Sequence, residues 1–481
     1  MSIIPQNTGS DLTQGSIVRN LIRLSLPIML SNFMQTFYNL TDTFWLGKMA
    51  ENATGAVSTA GIAFPLVWTL SSFGFGFAIA GTALVARYKG SDRPDKIKEV
   101  VGQFTLILVV FTALFLFLSM FFLEHILHWL QIPNEILDMS RVYMRIIIAG
   151  MSFMFIFMFY QAISHGLGDT VSPMKIQVVS VVTNVILDPL LIFGIGFFPE
   201  MGVRGAALAT FFSRFLAALF AVIYLAKYSK GLLPSLSDLK PKWKTIGNIL
   251  KISIPASVGQ SITSFGFLIL QGFVNSFGTV VISTFSIGNR MTGLFMMPAM
   301  GISNALSTVV GQNLGAGKTE RVNESVGKAF QLVYLILSIG CVILYFFGAE
   351  LTKIFITEPA VVEVGSRMFK VTSLATFFFG VEFLLSGVFN GAGHTSATLR
   401  VNISRLWLFR IPLCYILSGR ILDFDVIARS SVAPLLEKLA QPLSAYPYDA
   451  LWWSMVISNI IAGLWAFIIY EKGKWRHIQF D

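Results

Sequence analysis

The sequence predicts an all-α membrane protein of twelve transmembrane helices, arranged as two pseudo-symmetric six-helix bundles. Three observations carry that prediction: apolar runs about as long as a bilayer is thick, a low and clustered charge content, and an internal repeat. Of the 481 residues, 54% are hydrophobic and 12% charged, and the mean hydropathy is +0.71. Soluble domains carry about 25% charged residues. Half that charge, together with 44 Phe, suits lipid contact better than water. The charges gather in short segments between apolar runs of roughly 20 residues, the length that crosses a hydrocarbon core.

In chain order the spans fall near 19–46, 53–81, 100–122, 136–162, 172–195, 205–226, 247–275, 279–308, 327–348, 362–389, 398–418 and 450–471. Met1 to Ser16 is polar and lacks the basic start, short apolar core and small-residue cleavage site of a secretory leader, so the first span is expected to stay. Lys and Arg set the orientation. Counted with the span ends that flank them, the N-terminus, the even-numbered loops and the C-terminus hold 21 of them and the odd-numbered loops 10, while Arg214, Arg290, Arg405 and Arg410 fall within spans away from these flanks. The bias predicts an inner-membrane protein with both termini in the cytoplasm. It also assigns the net charge of +10 to topology, so no nucleic-acid partner is expected. Cys341 and Cys414 lie in apolar segments without disulfide or metal spacing and read as small buried hydrophobes.

The repeat appears in the loops. Gly90–Gly102 after span 2 aligns with Gly315–Gly327 after span 8 at an offset of 225, matching Glu99 with Glu324 and Val101 with Val326. The same offset aligns GLGDT at 166–170 with GAGHT at 391–395, and RLSLP ending at Pro27 parallels KISIP ending at Pro255. The chain therefore reads as two halves of six spans: an N-lobe at 1–226, a cytoplasmic linker at 227–250 and a C-lobe at 251–481. Six is even, so both halves enter with one orientation, a standard plan for transporters with a substrate site between the halves. The connection near 420–448 is far longer than its counterpart and contains an amphipathic stretch, IARSSVAPLLEKLAQPL. It is expected outside, on the surface.

Charges inside spans are costly and mark candidate sites. Gln35, Tyr38, Asn39 and Asp42 share one face of span 1 at spacings of 3, 4 and 7. Pro27 lies 15 residues before Asp42 and gives span 1 a place to bend. The alternative for Asp42 is a simple interfacial pair with Lys48. In span 5, Gln177, Asn184 and Asp188 share a face, and Pro189 disfavours helical geometry at Asp188. Here the alternative is a satisfied interhelical hydrogen bond. Asp42, Asp188 and Thr210 fall at similar depths, so the two carboxylates are expected to share a pocket. There a proton or sodium ion would relieve their repulsion. Glu382 in span 10 is a possible second acid; Arg405 and Arg410 offer it a structural ion pair instead. GQNLGAGKT at 311–319 imitates a phosphate-binding loop, but Gly311 is one residue too far from the Gly-Lys-Thr and a hydrophobic span precedes it. No catalytic or zinc constellation is visible, so no enzyme activity and no cofactor is expected.

With these residues in view, the chain resembles the multidrug and toxic compound extrusion (MATE) family, and most its DinF-like branch. The resemblance rests on SLPIML at 25–30, Asp42 with its spacing from Pro27, GLGDT at 166–170, NVILDPLLIFG at 184–194, GVRGAALAT at 202–210 and VGQNLGAG at 310–317. It implies two six-helix lobes around a central cavity, and efflux of cationic or amphipathic compounds by alternating access against H+ or Na+. It also implies that Asp42, Asn184, Asp188 and Thr210 match an N-lobe cation site. Of these, Asp42, Asn184 and Asp188 would be metal ligands if Na+ is the coupling ion. Gln35 and Tyr38 match substrate-facing positions, and Asn39 and Gln177 extend that group. Pro27 would be the hinge. Span 7 offers Gln260 rather than an acid, which favours coupling in the N-lobe. The expected partners are small organic compounds, the coupling ion and the bilayer, around a monomer. Two rival classes are a flippase for lipid-linked saccharide precursors and a membrane-embedded enzyme or receptor without transport.

Overall fold

Ser16 opens the first helix: its Oγ accepts from the Arg19 amide at 3.4 Å, the usual way a helix start meets its unpaired N–H groups. In the computed structural model the helices run in chain order as α1 (Ile17–Leu46), α2 (Ala53–Gly90), α3 (Pro94–Trp129), α4 (Asn134–Leu167), α5 (Val171–Ile192) and α6 (Gly202–Tyr228). They continue as α7 (Trp243–Asn275), α8 (Thr279–Gly315), α9 (Thr319–Lys353), α10 (Pro359–Gly391), α11 (Thr395–Ile403) and α12 (Ile411–Leu417). A π-helical segment, Ser404–Arg410, joins α11 to α12. A short helix, Ala433–Ala440, and a closing helix, Asp449–Glu471, complete the order. The structure describes residues 11–49, 53–130, 132–228, 231–235, 237–423, 427 and 429–478. Residues 1–10 of the polar start, residues 229, 230 and 236 of the linker and residues 424–426 and 428 of the long connection lie outside the described residues.

Among the described residues there is no strand, and ten helices are long and apolar enough to cross a membrane. The other two spans, α1 and the α11–π–α12 run, bring the total to twelve. Their shortfall has a cause. One carries the stripe of Gln35, Asn39 and Asp42; the other carries Arg405 and Arg410 on a segment of wider helical turns. Several helices outrun their predicted spans. α2 ends at Gly90 and α3 begins at Pro94, because a helix can continue through polar residues once it leaves lipid. The expected break at Pro189 is corrected: α5 runs through it to Ile192, and α1 likewise runs through Pro27. Neighbouring helices and local adjustments can meet the carbonyls that an interior proline frees.

The chain divides into two compact units, Met1–Ser257 with Thr308–Arg321 and Val258–Ser307 with Val322–Gln479. In the first, α2 packs on α4, α4 on α6, and α5 on both α1 and α6. Its core includes Leu46, Phe115, Tyr143, Met151, Phe155 and Ala207. The second has a core of Phe273, Phe285, Met291, Phe369, Leu406 and Trp452. Exposed Val109, Phe117 and Phe121 on α3, and Leu335, Val342 and Phe346 on α9, give these repeat-related helices broad apolar faces suited to lipid.

The repeat has a physical basis at its glycines. A Cβ on Gly90 would lie 1.8 Å from the Gln312 carbonyl oxygen, and one on Gly315 would lie 2.0 Å from that of Arg87. Positions 90 and 315, like 87 and 312, are related by the offset, so the ends of α2 and α8 cross in a reciprocal contact that only glycine permits. Gly166 approaches the Thr82 carbonyl oxygen, with a Cβ distance of 3.0 Å, and Gly391 approaches the equivalent carbonyl of Ser307, at 2.2 Å. The turns repeat too: Gly168 and Gly393 are left-handed at φ +85° and +76°, and Asp92 and Gly317 at +51° and +71°. Gly90→Ala is expected to destabilise the first unit by about 1–3 kcal/mol through overpacking. A lowered unfolding temperature in detergent checks this, and an unchanged one contradicts the close crossing.

The segment that imitates a phosphate loop serves this crossing. It is helical through Gly315, and Gln312 and Lys318 are engaged by the chain itself. Gln312 Nε2 donates to the Gly166 carbonyl at 3.0 Å, Gln312 Oε1 accepts from the Leu12 amide at 3.3 Å, and Lys318 Nζ donates to the Thr13 carbonyl at 2.9 Å. The linker is anchored in the same unit. Gln103 Nε2 donates to the carbonyls of Asp238 and Lys240 at 2.8 and 2.9 Å, and its Oε1 accepts from the Lys242 amide at 2.8 Å. The hydroxyl and amide of Ser235 hold the Asp238 carboxyl down at about 2.

Candidate functional site

Small residues bring α6 against α5. A Cβ on Gly205 would meet the Leu191 carbonyl oxygen at 2.4 Å, and Ala206, Ala207 and Ala209 are buried. The approach carries Thr210 to Asp42, to whose Oδ2 it donates at 3.4 Å. It also places Ser213 one turn on, where its carbonyl accepts from Ser180 Oγ of α5 at 2.9 Å. On α5 itself Asn184 Nδ2 donates to Asp188 Oδ1 at 3.2 Å, and both residues are fully buried. α1 completes the cluster with Asp42 and with buried Tyr38, whose hydroxyl lies 3.4 Å from Ser213 Oγ.

The carboxyl groups of Asp42 and Asp188 act on each other electrostatically within this cluster. Two ionised carboxylates are acceptors only, so this interaction is favourable only with a proton or a cation between them. Asp42 Oδ1, Asn184 Oδ1 and Asp188 Oδ2 are all buried without a donor. Three unsatisfied acceptors on two adjacent helices are costly unless positive charge meets them. Arg214, four residues after Thr210, acts electrostatically on Asp42, and its Nη1 is buried without a partner. Two acids against one fixed cation leave room for one more positive charge. Lys48 does not pair with Asp42; it lies over the Phe44 ring at 5.7 Å.

Asp42, Asn184, Asp188 and Thr210 therefore come together, and Tyr38 joins them rather than standing in the open. Gln177 Nε2 donates to Gln35 Oε1 at 3.2 Å, on the more exposed part of the same two helices. Asn39 is half-buried between these groups along α1. Sequence reasoning missed three members. Ser213 and Arg214 continue the face of Thr210 by one turn, a readable signal. Tyr143 of α4, buried and in electrostatic contact with Asp42, Tyr38 and Asp188, stands among Ser140, Arg141 and Arg145 near the start of α4, so its local pattern reads as a helix end rather than as a partner of the acids.

In the second unit Glu382 and Arg405 form a buried ion pair, Oε2 to Nε at 3.0 Å. Arg405 also stacks over Phe379 at 4.6 Å. Arg410 Nε donates to Ser458 Oγ at 3.0 Å and its Nη2 donates to Asn459 Oδ1. The acid predicted as a possible second site is thus held by an arginine from the π-helical segment.

The MatE family model matches residues 27–190 and 255–416, more than half the chain and one stretch in each half. The chain belongs to the MatE family. It is 29% identical over 409 residues to the probable multidrug resistance protein YpnP of Bacillus subtilis, covering 85% of this chain and 90% of that one. It is 27% identical over 407 residues to the probable multidrug resistance protein NorM of Thermotoga maritima, covering 83% and 86%. A crystal structure of a MATE protein in a bent conformation superposes with a TM-score of 0.85 at 19% identity, covering 98% of both chains. The fold is thus that of MATE transporters, and this member of the family is a multi-pass membrane protein. The α5 and α6 motifs lie partly beyond the first matched stretch: Asn184 and Asp188 fall inside it, Thr210 and Arg214 outside.

Proposed function

We propose that this chain exports small organic, often cationic or amphipathic, compounds by alternating access, driven by entry of H+ or Na+ through the Asp42–Asp188 site. The observation that carries this reading is the adjacency of those two carboxyl groups with three acceptor oxygens left without donors. A coupling ion drives a cycle only by binding two states with different affinity. Binding here replaces carboxylate repulsion with attraction and pulls α1 and α5 together; release loosens them. Asn184 and Thr210 supply neutral oxygens. With Na+ the ligands are Asp42, Asn184 and Asp188; with H+ the proton is shared within the pair. Gln35, Tyr38, Asn39 and Gln177 contact substrate, and Pro27 allows α1 to bend between states.

The excess of Lys and Arg in the even loops supports cytoplasmic termini in an inner membrane. The protein works as a monomer and needs no cofactor beyond the coupling ion. Drug-resistance names among relatives such as YpnP and NorM favour this reading over a lipid-linked saccharide flippase. The test is dye efflux from proteoliposomes with one gradient imposed at a time. Efflux driven by a proton or a sodium gradient is expected. Equal efflux with neither gradient overturns ion coupling, and gradient-independent movement of a lipid-linked saccharide would favour the flippase.

A further inference from the structure

The family match ends at residue 416, and the long connection after α12 holds a feature that the transport reading does not use. The short helix Ala433–Ala440 and its flanks are apolar over half their circumference, and that half is divided in two. Ala433, Leu436, Ala440 and Leu443 form one quarter and are half-buried; Ala440 Cβ lies within 3.7 Å of the Cβ position of Gly419. Val432, Leu435, Leu439 and Pro442, at spacings of 3, 4 and 3, form the adjacent quarter. They are exposed, Leu435 at 60% and Leu439 at 46%. Glu437, Lys438 and Gln441 occupy the opposite face. A soluble surface helix has no reason to keep a second leucine ridge outside its packing face, because exposed leucine costs apolar hydration.

The depth of this helix is fixed by its attachments. It is tied to the end of α12 at Gly419 and returns through Tyr446 and Tyr448 to the start of the closing helix at Asp449. Arg420 donates to the Ser276 carbonyl at 3.1 Å, one residue past the end of α7, and its guanidinium lies 4.0 Å from the Phe277 ring. Arg367 donates to Asp449 and lies 3.7 Å over the Tyr446 ring. Three spanning helices thus begin or end at the level of the short helix, among Arg and Tyr residues of the kind that gather at a membrane–water boundary. We propose that Ala433–Ala440 lies in the bilayer interface, with the Val432–Leu435–Leu439 ridge in acyl chains and Glu437, Lys438 and Gln441 among headgroups. The helix then acts as a float that fixes the depth of α12 and the closing helix.

The experiment places a bimane label at Leu435→Cys, Leu439→Cys or Gln441→Cys in a Cys341→Ala, Cys414→Ser background. The full chain is reconstituted in phosphatidylcholine–phosphatidylglycerol vesicles. Brominated acyl chains are expected to quench the labels at 435 and 439 at least twofold more than the label at 441, with iodide showing the reverse order. Equal iodide quenching at all three positions would place the ridge in water and overturn the proposal. Lipid quenching that rises as protein is diluted into more lipid would show a second copy on the ridge, and would overturn it as well. Because the labelled sites are exposed, folding is not at stake. If the cysteine background impairs it, labelling Gln441→Cys and Leu435→Cys in the chain with its native cysteines gives the same comparison after subtraction of the unsubstituted protein.

Discussion

Asp42→Asn is expected to reduce gradient-driven efflux roughly ten- to hundredfold, the scale of losing a hydrogen-bonded ionic contact worth about 1.5–3 kcal/mol. The amide keeps the shape of the side chain and can still meet Thr210, so the fold should persist. What it loses is charge. With Asp42 neutral, Arg214 balances Asp188, and the site no longer gains from one additional positive ion. Substrate binding without a gradient should survive, because Gln35 and Gln177 pair outside the buried cluster. The measurement is dye efflux at matched protein content in proteoliposomes, alongside substrate binding in detergent. Efflux at the rate of the unsubstituted chain, under the same gradient, would remove Asp42 from the coupling step.

Glu382→Gln should cost about 3–5 kcal/mol of stability, because it leaves the Arg405 charge buried without its counter-ion. The side chains of Glu382 and Arg405 are 3% and 5% exposed, so water cannot replace the lost partner. The cost is raised by the surroundings: Arg410 is also buried and bonds only to neutral Ser458 and Asn459 among its hydrogen-bond partners. One acid therefore faces two arginines, and removing it leaves two buried positive charges on one π-helical segment. The double variant Glu382→Leu, Arg405→Met should recover much of the loss, since an apolar pair of similar volume often matches a buried ion pair. Thermal unfolding of the three proteins in detergent checks both statements. If the double variant is stable yet cannot use an ion gradient, Glu382 has a coupling role as well; if it transports normally, the pair is structural.

Much of this architecture is legible in one dimension because a bilayer simplifies the code. Helices must be about 20 apolar residues long, and backbone groups must be satisfied within each segment, so composition and length alone mark ten of the twelve spans. The repeat was readable for a different reason. Gly90 and Gly315 face backbone carbonyls, Gly168 and Gly393 adopt left-handed turns, and no other residue fits either role well, so both halves keep them.

The polar stripes on spans 1 and 5 were equally plain, and so was Thr210. The membrane class, the two sixfold halves and the candidates Asp42, Asn184 and Asp188 all follow from local periodicity and the cost of charge in lipid, so one-dimensional information suffices for them. Which candidates meet is a matter of packing. The folded chain brings Tyr143 and Arg214 to the acids, keeps α5 helical through Pro189, gives Glu382 to Arg405, and leaves a leucine ridge uncovered on the short helix Ala433–Ala440. Partnership depends on how helices pack across long sequence separations. That packing is set by small residues such as Gly205, whose effect is visible only when the neighbouring carbonyl is in place.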